Sequence, residues 1–128
     1  MRDLASNIGV VLALSPAVQA ATIKGNVIDT QGYGSAALVV TSGAIAGAGA
    51  FTAKLQESDT TVDGDFTDVT ADLLEGTLPG TITADGTFKQ SYIGHKRYIR
   101  PVLTKNSGTS VAVGAVVVLG HARNRPVA

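Results

Sequence analysis

Asp59, Asp63 and Asp65 crowd one short segment beside Gly64, and carboxylates at that density are the first place to look for a hard-cation site. An EF-hand calcium loop needs acidic or amide ligands at alternate positions and a closing bidentate glutamate, and neither surrounds Asp63-Gly64-Asp65. The same residues, with Phe66, read as a turn in a solvated acidic loop. His95 and His121 are the only histidines, the chain has no cysteine, and neither histidine has a carboxylate within eight residues in sequence. A zinc site or a general-base pair therefore has no local support, and the two residues read as a hairpin residue and a strand-exit residue. There is no Gly-x-Ser-x-Gly elbow and no Gly-x-x-x-x-Gly-Lys phosphate loop. The expectation is a protein that is not an enzyme, with no metal and no cofactor.

Charge is neutral in sum but unevenly distributed. Residues 57–85 carry Glu57, Asp59, Asp63, Asp65, Asp68, Asp72, Glu75 and Asp85 with no lysine or arginine. Residues 86–128 carry Lys89, Lys96, Arg97, Arg100, Lys105, Arg123 and Arg125 with no acid. Lys96, Arg97, Tyr98 and Arg100 combine phosphate-seeking charge with a stacking ring, but eight acids in the preceding segment argue against a nucleic-acid partner. Opposite charges in adjoining segments fit contacts between copies better. Asp59, Asp63 and Asp65 of one subunit would meet Lys96, Arg97, Arg100, Arg123 and Arg125 of the next, which predicts association that weakens at high salt.

The elements that must carry these residues read as strands. Phe51, Ala53 and Leu55 alternate with Thr52, Lys54 and Gln56, the period of a half-buried strand. Ile23 and Val27 alternate with Thr22, Lys24 and Asn26, and Gly25 marks a bulge. Ala36–Val40 and Val111–Leu119 are apolar on both faces, as expected of central strands. Ser42–Ala50 reads as a flexible glycine-rich hairpin loop, and residues 58–87 as mostly loop with one helical turn at Ala71–Leu74 behind Thr70. Phe88–Ile93 and Arg97–Thr104 read as a hairpin closed by Gly94-His95-Lys96, with Pro101 at an edge or a bulge. Seven or eight short strands in 128 residues predict one all-β domain, a small β-sandwich or jelly-roll-like fold. The only phenylalanines are Phe51, Phe66 and Phe88, so the core must be built largely from Val, Ala, Ile and Leu.

Ile8–Leu14 resembles the apolar core of a secretion signal, but Arg2 is offset by Asp3 and Ser15-Pro16 ends the run after seven residues. The segment is expected to stay in the mature protein. At that length it falls far short of the about 20 residues that cross a bilayer, so no membrane role is expected. Residues 1–18 form an extended N-terminal arm or first strand, and 19–128 the β domain.

Several segments together resemble a family of short proteins encoded beside the major capsid gene in tailed phages and prophages. They are Met1-Arg-Asp-Leu4 with Asn7-Ile8, Ser15-Pro-Ala-Val18, Gly32-Tyr-Gly-Ser35, Lys54-Leu-Gln-Glu-Ser-Asp59, Phe66-Thr-Asp-Val69, Tyr92-Ile-Gly94, Lys96-Arg-Tyr-Ile-Arg100 and the ending Val117-Val-Leu-Gly-His-Ala-Arg123 with Pro126-Val127. The resemblance runs nearly end to end. It implies a virion structural protein, a head-decoration (cement) protein on the outer capsid surface, made in the host cytoplasm, bound to the major capsid protein and self-associating as a trimer. A head-tail connector or tail component is the neighbouring alternative, and a secreted ligand-binding β-sandwich the more distant one. Under the first reading the arm would lie on a capsid subunit through Ile8, Val10, Leu12 and Leu14.

Overall fold

β-branched and small apolar residues at period two make most of this chain strand. The computed structural model describes residues 1–127. Its strands are β1 (Gly9–Gln19), β2 (Ile23–Lys24), β3 (Ile28–Asp29), β4 (Tyr33–Ala46), β5 (Ala50–Ser58), β6 (Thr67–Asp68), β7 (Leu74–Glu75), β8 (Thr87–Tyr92), β9 (Tyr98–Ser107) and β10 (Ser110–Ala122). They form two antiparallel sheets, ordered β1-β10-β4-β8-β7 and β2-β9-β5-β6, with β3 also pairing β9.

The pairing is nested: β1 with β10, β2 and β3 with β9, β4 with β8, β5 with β6. A chain doubled into one long antiparallel ribbon and then rolled, so that β10 also meets β4 and β9 also meets β5, has jelly-roll topology. Leu38, Val40, Phe51, Leu55, Ile99, Leu103, Val117 and Leu119 fill the space between the sheets.

Several elements differ from the sequence reading. β4 runs on through Ser42–Ala46, so the glycine-rich segment is mostly strand with a tight turn at Gly47–Gly49. β8 and β9 lie in different sheets, so Gly94-His95-Lys96 is a crossover and closes no hairpin. Both errors share a cause: glycine and polar residues permit a bend without stating whether the chain stays in its sheet. On the β2–β3 edge, six residues from Ile23 to Ile28 span five on β9 from Leu103 to Ile99. The extra residue flips parity, leaving Val27 exposed and Ile28 in the core. Gly25 sits in this break because a Cβ there would lie 2.5 Å from both the Ala13 carbonyl and Pro101 Cγ.

Pro101 lies in a strand flanked on both sides, not at an edge. Its carbonyl accepts from Gly25 N–H at 2.7 Å, so its own nitrogen faces the break between β2 and β3, where no ladder bond is lost. Between β7 and β8, Ile82 turns back into the core and its N–H donates to the Phe51 carbonyl at 2.8 Å. The turn at Ala71–Leu73 forms behind Thr70, whose hydroxyl bonds Asp72 and does not cap the backbone.

The N-terminal segment is a strand of the domain and not a detachable arm. β1 pairs with β10 from Gly9 to Gln19, with irregularities at Ala13 and around Pro16, and it buries Ala13 and Leu14. Deleting residues 2–18 strips one side of β10 and opens the core, so the cooperative thermal transition followed by circular dichroism is expected to disappear. Phe51→Ala, which leaves the backbone intact, is expected to cost about 3–5 kcal/mol in a urea titration.

Candidate functional site

The charges of the middle and C-terminal segments meet within one chain. Lys96 Nζ lies 2.6 Å from Asp59, and Arg97 binds Asp29 through two bonds of 2.9 and 2.8 Å. Asp63 accepts from Arg100 at 2.6 Å and from Lys24 at 3.1 Å, and Lys54 holds Asp68 at 3.1 Å. Asp65 takes the Thr60 hydroxyl at 2.6 Å. The contacts expected between subunits through Asp59, Asp63, Lys96, Arg97 and Arg100 are thus satisfied locally, and the three aspartates face different partners instead of one cation. Among the described residues no group of three histidines, cysteines or carboxylates could hold a metal ion. Arg123 and Arg125 are exposed at the C-terminal end.

Arg100 anchors this network. It is buried, its guanidinium lies 4.2 Å from the Phe66 ring centre, and Nε donates to Gln56 at 2.9 Å. Nearby, the buried Tyr92 hydroxyl donates to Glu57 at 2.6 Å and accepts from the Lys96 backbone N–H at 3.0 Å. Burial, reinforced by the Glu57 bond, pushes the Tyr92 phenol above its ordinary range. These groups brace the β5–β9 sheet against the β8–β9 crossover.

A polar hollow of about 340 Å³ opens at this end, lined in part by Tyr33, Tyr92, His95, Lys96, Arg97 and Arg123. Lys96 and Arg97 are held by carboxylates, and His121 is tied to Ser35 by a 2.8 Å bond.

The other sheet presents a different surface. Along β10, Val111, Val113, Ala115, Val117 and Leu119 point into the core while Ala112, Gly114, Val116 and Val118 point out. Register extends the outer set sideways in rows: Val10, Val118, Ala37 and Ser91; Leu12, Val116, Val39 and Lys89; Gly114, Thr41 and Thr87; Val18 and Ala112. Val10, Leu12 and Val18 are 60%, 44% and 69% exposed. A groove of about 530 Å³ runs over the small residues of this face, walled by Leu12, Pro16, Val18 and Val39. Lys89 on β8 and Glu75 on β7, which pairs with Ser91, are the ionisable residues at the edge of these rows.

Of the four proposed contact residues in the N-terminal segment, Val10 and Leu12 lie on this face. Ile8 is half-buried just before β1. Leu14 points into the core, because the bulge at Ala13 inverts the alternation. Val39, Val116 and Val118 were missed as site residues. Their signal is present, since Ala36–Val40 and, apart from Gly114, Val111–Leu119 are apolar throughout, but two-faced hydrophobicity in a sequence equally signals central placement.

Asp63, Asp29 and Asp68 are each held below the ordinary carboxylate value of 3.8, by hydrogen bonds from Arg100 then Lys24, from Arg97, and from Gln56 then Lys54. Groups with lowered folded-state values contribute stability above their unfolded values and lose it as pH falls through the folded ones. The melting temperature is therefore expected to hold down to about pH 4 and to drop below it. Asp63→Asn should melt lower at neutral pH and show a shallower acid limb when thermal melts are compared from pH 2 to 7. Against known proteins, no family model matches the chain and no curated protein matches it, so its surfaces carry the functional reading.

Proposed function

We propose that this chain is a structural protein of a tailed-phage head, a decoration protein that binds the major capsid lattice from outside and stabilises it after synthesis in the host cytoplasm. The observation that carries this reading is the apolar outer face formed by β1, β10 and β4, with Lys89 of β8 at its rim. A contiguous apolar sheet face on a small domain is a surface for protein contact. The sequence features shared with small proteins encoded beside capsid genes supply the setting, and jelly rolls recur among viral capsid domains. The ion pairs closed within the chain support a scaffold role for the charged sheet. Among the described residues no helix is long and apolar enough to cross a membrane.

Because Asp59, Asp63, Lys96, Arg97 and Arg100 are paired within the chain and the proposed contact face is apolar, the contact should be driven by apolar burial and should tolerate salt. This replaces the salt-sensitive association expected from sequence. Purified protein mixed with heads that lack it is expected to sediment with them in hundreds of copies and to remain bound in about 1 M sodium chloride. Absence of binding, or release by salt, overturns the reading. Recovery of only about six or twelve copies per particle places the chain in a connector or tail ring instead.

A further inference from the structure

On the other sheet, the chain leaves β5 and returns to pair with it as β6 through a strap of exposed residues, 59–65, set between buried Ser58 and buried Phe66. The strap's backbone bonds are all local among the described residues. Thr60 and Val62 N–H donate to the hydroxyls of Ser58 and Thr60, and Asp65 and Phe66 N–H to the carbonyls of Val62 and Asp63. Its ties to the sandwich run through side chains: Asp59 to Lys96 of the crossover, Asp63 to Lys24 of β2 and Arg100 of β9, and Phe66 against the Arg100 guanidinium. Beneath it lies a small buried patch. Phe66 and Val102 are 8% and 5% exposed, yet neither belongs to the core between the sheets. Arg100 and Val102 alternate with inward Ile99 and Leu103, so both point outward, and Val102 shares its row with Lys24 and Lys54.

We propose that residues 59–66 form a charge-latched lid: Asp63 pins the strap to the outer side of β9, and loss of that pin lifts the strap while both sheets stay folded. Burial of Arg100 supplies the driving force. Its side chain is 6% exposed, and Asp63 is the one carboxylate bonded to it among the described residues. Neutralising Asp63 leaves a desolvated guanidinium without a counter-charge, a state relieved by admitting water. Lifting the strap admits water without breaking a bond of the sheet ladders. Every other route to Arg100 opens β9, which is paired on both sides.

The other two pins are weaker. Lys24–Asp63 and Lys96–Asp59 reach into solvent, where such pairs contribute little singly. Asp63 therefore matters for the cation it covers and not for the number of its bonds. The open strap lays bare Phe66, Val102 and a freed guanidinium on the sheet opposite the apolar face, so the device does not depend on what that face binds.

The native chain has no cysteine, so a single introduced thiol reads the opening. Val102→Cys reports on the ground under the strap, and Val117→Cys, the same substitution between the sheets, reports on the whole domain. With a thiol reagent at neutral pH, adding Asp63→Asn is expected to speed labelling of the Val102→Cys thiol by about tenfold or more. Adding Lys24→Gln or Asp59→Asn should change it by less than about threefold. The Val117→Cys thiol should stay protected in every background. In the cysteine-free chain, Asp63→Asn should likewise raise the rate of chymotrypsin cleavage after Phe66 by about tenfold, with the sites in the long strands uncut. Immediate labelling of Val102→Cys without Asp63→Asn shows that the strap does not cover it and overturns the proposal. So do labelling and cleavage unchanged by Asp63→Asn, equal acceleration at both thiols, which is loosening of the whole domain, or an effect of Asp59→Asn as large as that of Asp63→Asn.

Discussion

The pairing of β1 with β10 is the constraint on which the rest depends. It joins the first long strand to the last, and every other pairing in the nested ribbon lies inside it. Held between β1 and β4, β10 contributes five inward side chains to the core while its backbone is bonded on both sides. The bulge at Ala13 lets β1 bury Ala13 and Leu14 together and lean towards the second sheet. There the Asn26 backbone N–H donates to the Ala13 carbonyl at 2.7 Å and its side-chain amide to the Leu12 carbonyl at 3.0 Å. Part of the outer edge of β1 is thereby covered, which limits open-ended strand addition.

The two sheets divide the work of the surface. The β9–β5 sheet carries the ion pairs around Arg100 and Asp63, whose charges neutralise one another over a few ångströms. Exposed pairs of this kind contribute little singly, but Asp63 links Lys24 to the buried Arg100 guanidinium. The β10–β4 sheet has almost no charge on its outer side and buries its inner side in a core of Val, Leu and Ala. A thin core of small residues gives modest stability, at about 25 cal/mol per Å² buried, so covering the second face would add a meaningful increment.

Strand identity was largely legible in the sequence. Phe51, Ala53 and Leu55 declared their inward face by simple alternation, and the apolar runs at Ala36–Val40 and Val111–Leu119 are the central strands of one sheet. Parity failed where the backbone gained a residue, at Val27 and Ile28 and again at Leu12 and Leu14, because a bulge inverts every side chain after it and leaves no fixed residue signature. Ile82 was invisible for a different reason: a single apolar residue in a polar loop has no period to reveal it.

By itself the sequence determined the all-β class and the apolar character of the strands, since these follow from residue type and spacing along the chain. Only the tertiary structure decided which strands share a sheet, which aspartate meets which cation, and which side of the two-faced strands stays uncovered. Those outcomes depend on contacts between residues as far apart as Leu12 and Val116, or Asp29 and Arg97. Local periodicity constrains the direction of a side chain but not its distant neighbour. The charge blocks 57–85 and 86–128 invited a contact between molecules, and the rolled ribbon closed part of it within one, through Lys96–Asp59 and Arg100–Asp63.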